Sequence, residues 1–269
     1  MTAVLHGAEH ATASPEAASS PRITVSVVSH GHGAMIASLL GQLAGLRNPD
    51  IARVIVVHNL PDADASTPEG AGFELIQLHN AKPKGFSANH NMAFAHCSTP
   101  WFAVLNPDLE FQFGDPFPAL LAAGDADPKL GAVAPALVQP GTLHVEPNRG
   151  VVTPLELIRR RLPGWKPPAE PAWLVGAFLL IRTDVYRALG GFDERFWLYC
   201  EDVDFGCRVR QGGWAIRRLE SVNVIHMTER RSKRHLKFTI WHVKSLLLLW
   251  RKPLLAIYKY YWCHGRSYS

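Results

Sequence analysis

Carboxylates are the side chains of this sequence best placed to do chemistry, and they fall in two clusters. The first centres on Asp108, in the tripeptide Asn106-Pro107-Asp108 that closes the apolar run Trp101 to Leu105. A divalent cation such as Mg2+ or Mn2+ takes oxygen ligands and usually keeps phosphate oxygens and waters in its shell, so a single protein carboxylate can be enough to seat it. The alternative is a proline-centred turn with Asp as a turn former. The second cluster is Glu201, Asp202 and Asp204, where the aromatic stretch Phe196-Trp197-Leu198-Tyr199 meets a helical pattern. A helix N-terminus favours acids through its macrodipole, which accounts for one or two of the three. Adjacent helical residues point about 100° apart, so one of Glu201 and Asp202 can face a cleft while the other braces the loop. A cleft-facing carboxylate against aromatic walls is a candidate general base, because partial desolvation raises its pKa toward working pH. His226 ends another apolar run and reads as a metal or phosphate ligand, or as a plain polar strand terminus.

The elements that must position these groups begin at Ile23. From there β-type runs alternate with segments of helical period, the pattern of an α/β fold with a largely parallel sheet flanked by helices. Strands are predicted at residues 23–29, 53–58, 73–78, 101–105, 173–182 and 222–226. Helices are predicted at 35–46, where Ile36, Leu39, Leu40, Leu43 and Leu46 share a face, and at 89–96, 184–189 and 203–211, the last stopped by Gly212-Gly213. Residues 139–172, rich in proline and carrying Arg159-Arg160-Arg161, read as a long irregular insertion around one short helix, the kind of loop that forms lids and binding surfaces. Ligands of open α/β sheets bind outside the carboxyl ends of the strands, where Asp108 and His226 are expected. Residues 85–91 (Gly85-Phe86-Ser87-Ala88-Asn89-His90-Asn91) match neither a P-loop nor a dinucleotide fingerprint, and no serine-hydrolase elbow is present.

Charge divides the chain unevenly. Of 28 Lys and Arg in 269 residues, 14 lie in the last 65, against only Glu220 and Glu229 there, so an acidic body ends in a basic segment. Cys97, Cys200, Cys207 and Cys263 form no CxxC pair, as expected for a reducing compartment. Residues 1–22, rich in Ala, Ser, Pro and His, read as a disordered tail rather than a secretory signal. The apolar run at residues 246–250 is far short of the roughly 20 residues a membrane span needs. The expected organisation is a tail at 1–22, one α/β domain at 23–235, and a basic, aromatic helical extension at 236–269.

Taken in order, these pieces resemble the inverting family 2 glycosyltransferases of GT-A fold, and most closely their rhamnosyltransferase-like branch. The resemblance runs from about Ile23 to Arg251. It is strongest in Gly176-Ala177-Phe178, Gly190-Gly191-Phe192-Asp193-Glu194-Arg195-Phe196 and Tyr199-Cys200-Glu201-Asp202-Val203-Asp204, which follow the family's GA, GGFDE-F and Y-EDVD run. Asn80, Gly85-Phe86 and Asn89-His90-Asn91 are similar to its N-x-G-F-A-x-x-x-N segment, Asn106-Pro107-Asp108 stands where it has a DXD-type motif, and His226 where it carries a histidine. The resemblance implies a single displacement at the anomeric carbon of a nucleotide-sugar donor. Asp202 would be the base, oriented by Glu201, and Asp108 and His226 would hold Mg2+ or Mn2+ against the donor diphosphate. Ser29, His30, Asn59, Gly85, Phe86, Asn89, Asn91 and Asn106 would contact the donor, either dTDP-rhamnose or a UDP-sugar, and the acceptor would be a glycan or lipid-linked glycan. The chain departs from the family at His58-Asn59, where Asp-Asn is common, and at Ser29-His30-Gly31-His32, in place of Thr-Tyr-Asn. It also lacks the Q-x-x-R-W motif of processive synthases, because Gln211 is followed by Gly212-Gly213-Trp214, which implies single addition.

Lys237, Lys244 and Arg251 align on a helical projection, opposite Leu246, Leu249 and Trp250, with Trp241, Tyr258, Tyr260, Tyr261 and Trp262 interleaved. This suggests a helix on an anionic membrane surface, on the cytoplasmic face of an inner membrane. The alternative is a solvated basic face whose leucine side packs on the domain. Rival functions are a nucleotidyltransferase, for which the loop at residues 29–33 lacks the expected Lys or Arg, a non-catalytic nucleotide-sugar binder, and a basic nucleic-acid binder, for which no recognition signature exists. No nucleic-acid partner is expected.

Overall fold

The computed structural model describes residues 20–141, 144–227 and 236–252. Eight strands form in chain order: β1 (Ile23–Ser29), β2 (Ile51–His58), β3 (Glu74–His79), β4 (Trp101–Leu105), β5 (Leu109–Glu110), β6 (Leu130–Val138), β7 (Phe178–Arg182) and β8 (Ala215–His226). They make one sheet in the order β3-β2-β1-β4-β7-β6-β8-β5. β1, β2, β3, β4, β6 and β8 run the same way, whereas β7 is antiparallel to both β4 and β6, and β5 is antiparallel to β8. β1, β4 and β6 are buried along their whole length, which is why they read as unbroken apolar runs rather than alternating ones.

Helices cover both faces. On one, Ile36, Leu39, Leu40 and Leu43 of α1 (Gly33–Gly45) pack with Phe117, Leu120 and Leu121 of α3 (Phe117–Ala126) against Val25, Val27, Val54 and Val56. On the other, Ala93 of α2 (Phe86–Phe94), Val185 and Tyr186 of α5 (Thr183–Ala188), and Phe205 and Val209 of α6 (Glu201–Gln211) pack against Ile55, Phe102, Val104 and Ile181. A third cluster joins α6 to the insertion and to α7 (Leu236–Arg251) through Val151, Val152, Phe196, Val203, Cys207 and Leu249. The insertion's short helix is α4 (Pro154–Arg159), capped by the Thr153 hydroxyl, which accepts the Glu156 N–H.

Several elements differ from the sequence expectation. β7 begins at Phe178 instead of 173, because the backbone groups of Gly176 and Ala177 are engaged elsewhere: the Gly176 N–H donates to Asp202 and the Ala177 C=O accepts from Asn106. β8 is twelve residues long and pairs with β6 from Ala215 to Leu219 and again from Asn223 to Ile225. β5, α3 and β6 had no counterpart in the reading, and α2 and α6 start at Phe86 and Glu201, earlier than predicted. The α6 stop does follow the glycines: Gly213 has φ +83° and donates to Arg210 C=O, while the Trp214 N–H bonds Val209 C=O. Of the expected tail only residues 20–22 are described, and Tyr258, Tyr260, Tyr261 and Trp262 of the extension lie outside the described residues. Cys97, Cys200 and Cys207 are free thiols.

Candidate active site

The antiparallel placement of β7 brings the site together. Phe178, the first residue of β7, pairs with Leu105, the last of β4, so Gly176-Ala177 enters the sheet at the edge where Asn106-Pro107-Asp108 leaves it. The Asn106 N–H donates to Ala177 C=O at 2.8 Å, and the Gly176 N–H donates to Asp202 Oδ2 at 3.0 Å. From the other side β5 pairs with β8, setting His226 opposite Leu109, and the Met227 N–H bonds the Asp108 carbonyl at 2.9 Å. His226 Nε2 therefore stands 3.4 Å from Asp108 Oδ1 and 3.5 Å from Asn106 Nδ2. Asp108 Oδ1 and His226 Nδ1 are buried without a hydrogen-bond partner. A buried carboxylate oxygen without a hydrogen-bond partner, 3.4 Å from an imidazole nitrogen, fits a divalent cation better than a structural turn, since unpaired buried polar atoms are costly.

Asp202 sits in the first turn of α6. Its Oδ1 accepts the Val203 N–H at 2.8 Å while Oδ2 holds Gly176. Burial pushes its pKa up to about 6, against the opposing pull of those backbone donors and of the Arg149 charge. Glu201 is buried, and burial together with the Asp202 charge holds it well above the ordinary carboxylate range. Its Oε2 has no hydrogen-bond partner. The helix is entered through two successive left-handed residues, Tyr199 (φ +72°) and Cys200 (φ +65°), which cost about 1–3 kcal/mol each in a non-glycine residue. Strain of that kind turns the chain abruptly so that the α6 N-terminus, with both carboxylates, meets the strand edge. Asp204 has a different task. It is fully buried, bonds Arg208 Nε at 2.8 Å and Lys252 Nζ, and so ties α6 to the end of α7.

Around β1 and β2 the expected donor-contacting residues form a network that shapes a loop. Asn59 Oδ1 accepts from Asn80 Nδ2 and from the Lys84 N–H, both at 2.7 Å, and its Nδ2 donates to Lys84 C=O. Asn89 Nδ2 donates to Gly85 C=O at 2.9 Å, and its Oδ1 accepts from Asn80. Asn91 Oδ1 accepts from the Tyr186 hydroxyl and the Phe192 N–H, and its Nδ2 donates to Phe192 C=O and Glu194. The amides of Asn59, Asn89 and Asn91 are thus spent on the protein. Ser29 is buried, and its hydroxyl donates to Asp62 Oδ2 at 3.2 Å. His30 is exposed, its ring against Asn59 Nδ2 and its pKa lowered by desolvation and by His32. Gly85 touches Trp197: a Cβ there would lie 2.6 Å from the Trp197 carbonyl oxygen, and the Phe86 N–H donates to that same oxygen at 2.8 Å. Where the sequence has His58 in place of the family's usual Asp, the ring stacks on His79 at 4.5 Å, and His79 bonds Asp64. His58, Asp64 and His79 could also gather around a cation, although His58 Nε2 and His79 Nε2 already bond Gln77 and Asp64.

The contributions of three residues were not legible in the sequence, although Trp197 stood in the aromatic stretch before α6. Arg149, delivered by the insertion, lies close enough to Asp202 to lower its pKa, and its Nε is buried without a partner. Asp62 closes the β1 loop, and Trp197, exposed beside Gly85, packs 6.1 Å from Trp241 of α7. None belongs to a spacing pattern, so only the folded chain reveals them.

Comparison with known proteins follows the same lines. No family model matches the chain. It is 33% identical to an N-acetylglucosaminyl-diphospho-decaprenol L-rhamnosyltransferase of Mycobacterium tuberculosis over 144 residues, covering 47% of this chain and 46% of that protein. It is 28% identical over 207 residues to a pre-mycofactocin glycosyltransferase of the same organism, covering 76% and 42%. The chain thus spans about half the length of the curated relatives it matches. Among solved structures, a mannosyltransferase of Pyrobaculum calidifontis in complex with GDP-mannose and Mn2+ superposes with a TM-score of 0.60 at 18% identity, covering 92% of this chain and 71% of that one. The fold is the GT-A fold, and the relatives bear out the resemblance to family 2 glycosyltransferases of the rhamnosyltransferase-like branch.

Proposed function

We propose that the chain is an inverting glycosyltransferase that moves a sugar from a nucleotide-diphosphate donor to a hydroxyl of a glycan or lipid-linked acceptor in cell-envelope polysaccharide synthesis. The observation that carries this reading is the shared strand edge. Asp202, a carboxylate with its pKa pushed up to about 6, is linked through Gly176, Ala177 and Asn106 to the Asp108 and His226 pair, in which Asp108 Oδ1 has no hydrogen-bond partner. A base poised near neutrality beside a cation site is what a single displacement at a sugar carbon requires.

Asp202 takes the proton of the acceptor hydroxyl, and the two backbone donors fix its carboxylate in place. Glu201 is buried next to the base, where burial and the Asp202 charge disfavour a second negative charge. Asp108 and His226 would hold Mg2+ or Mn2+, which when bound neutralises charge on the departing diphosphate. The imidazole in that pair favours Mn2+ over the all-oxygen preference of Mg2+. Asn59, Asn80 and Asn89 act as positioning residues that fix the Lys84-Gly85-Phe86 loop, and Asn91 fixes the Phe192 backbone, leaving His30, Gly85, Phe86 and Asn106 to meet the donor. dTDP-rhamnose and UDP-sugars are the first donors to test, since the matched relative is an L-rhamnosyltransferase.

A nucleotide-sugar panel scored for Mn2+- or Mg2+-dependent donor hydrolysis and for thermal stabilisation, with EDTA as control, tests the reading. Turnover with at least one donor, lost in EDTA, is expected. Stabilisation by a donor with no turnover in any acceptor-containing reaction would mark a non-catalytic binder, and no response to any donor would refute nucleotide-sugar binding altogether.

A further inference from the structure

Two neighbouring helices leave apolar side chains in solvent. On α7, Ile240, Val243 and Leu247 are 45%, 49% and 53% exposed, and on α4 and the turn after it Leu155, Ile158 and Leu162 are 57–58% exposed. Both sets are spaced by three and four, so each forms a single stripe. Other residues of α7 pack: Leu246, Leu248, Leu249 and Trp250 join the cluster that also holds Leu157 of α4, and Trp250 Nε1 donates to Val152 C=O at 2.9 Å. The two helices share that cluster, and the Arg160 charge reaches His242 of α7. Cations lie near both, Lys237, Lys244 and Arg251 on α7 and Arg159-Arg160-Arg161 at the end of α4 and just past it.

Beside the α7 stripe a cavity of about 890 Å3 opens between α7 and the α5–α6 connection. Arg195, Arg208, Lys244, Leu247, Arg251 and Lys252 line it, and Asp193 is its one carboxylate. Asp193 engages Arg195 and Lys252, and Asp204 behind it engages Arg208 and Lys252. Among the described residues Lys244 and Arg251 have no carboxylate partner, and Arg208 Nη2 is buried without any. The cavity therefore carries surplus positive charge next to exposed leucine and valine, a combination complementary to an anionic headgroup with its acyl chains. Among the described residues no helix is long and apolar enough to cross a membrane, so contact through this surface would be peripheral.

We propose that the α4–α7 surface docks on an anionic phospholipid bilayer, with the cavity receiving a phosphodiester headgroup and Ile240, Val243 and Leu247 entering the interface. Such a helix lies in the interfacial plane with its apolar face a few ångströms deep, and cations beside it add electrostatic attraction. The proposal goes beyond sugar transfer and does not depend on it.

Co-sedimentation of the full chain with phosphatidylglycerol-containing and with pure phosphatidylcholine vesicles tests it, using Lys244→Glu/Arg251→Glu and Val243→Asp/Leu247→Asp. All four side chains are exposed, so the variants should fold, which a thermal melt verifies. Wild type is expected to bind only the anionic vesicles, and the charge variant to lose roughly 30-fold or more in affinity, from about 1 kcal/mol per cation at the surface. The Asp pair should lose at least tenfold. Equal binding to neutral vesicles, no binding to anionic ones, or variants that bind as wild type would each overturn it. So would stabilisation by glycerol phosphate alone without vesicle binding, which would make the cavity a free-phosphate site. Donor-induced thermal stabilisation, read separately on the same variants, distinguishes failure of this proposal from failure of the glycosyltransferase reading.

Discussion

Replacing Asp202 by Asn should remove catalysis and, at the same time, change how stability depends on pH. Burial raises the folded-state pKa from 3.8 to about 6, so between those values the folded chain holds its proton more tightly than the unfolded chain. Wild-type stability accordingly falls as pH rises through this window and stays lower above it. Two pH units at about 1.4 kcal/mol each put the ionisation strain at about 3 kcal/mol above pH 7. Asn cannot ionise and escapes this strain, but its Nδ2 must face either the Gly176 or the Val203 N–H, a constant loss of about 1–2 kcal/mol. The informative quantity is therefore the variant-minus-wild-type difference in melting temperature. It should rise by on the order of 6 °C from pH 3.5 to pH 8, at about 2 °C per kcal/mol for a chain of this size. In kinetics, wild-type kcat/KM should fall on the acid side with an apparent pKa near 6, and Asp202→Asn should lose about 10²–10⁴-fold in kcat with donor binding intact. Glu201→Gln is the control: the acid limb near 6 is assigned to Asp202, so it should persist. Parallel melting curves for wild type and variant across the pH range, or an Asp202→Asn enzyme of wild-type kcat, would refute the reasoning.

Asp108→Ala should weaken Mn2+-dependent donor binding by at least about tenfold in a calorimetric titration, while leaving the weaker binding measured in EDTA unchanged. Gly85→Ala forces a Cβ within 2.6 Å of the Trp197 carbonyl oxygen and disrupts the Phe86 N–H bond to it, so urea unfolding should show a loss of about 1–3 kcal/mol and donor KM should rise. Lys252→Met removes the cation shared by Asp193 and Asp204. With Arg208 still bonded to the buried Asp204, a loss of about 2–3 kcal/mol is expected in the same assay, together with faster proteolysis at the α7 end.

How much of this was legible beforehand depends on the range of the interactions. β1, β4, α1 and the α6 stop are set locally, by unbroken apolar runs, by a leucine face of helical period and by Gly212-Gly213, and the chain forms them where the pattern says. The chemical residue types were legible for the same reason: an Asp after a strand and acids at a helix start announce themselves without tertiary context. The alternative for α7, packing through its leucine side, also proved right for Leu246, Leu249 and Trp250, while the neighbouring Ile240, Val243 and Leu247 stayed in solvent. What carries no local mark is pairing across the fold. Nothing near Arg149 tells that the insertion carries it to Asp202, and nothing near Asn59, Asn89 or Asn91 tells that their amides bond the protein itself.

By itself, then, the sequence determined an α/β chain with candidate carboxylates at a strand end and a helix start, because hydrophobic period and capping chemistry act over a few residues. Tertiary structure decided which of them meet. Only the antiparallel β7 brings Gly176 to Asp202 and Ala177 to Asn106, and only the β5–β8 pairing sets His226 against Asp108. The proton affinity of Asp202 was decided there too, since desolvation depends on what the rest of the chain packs around it.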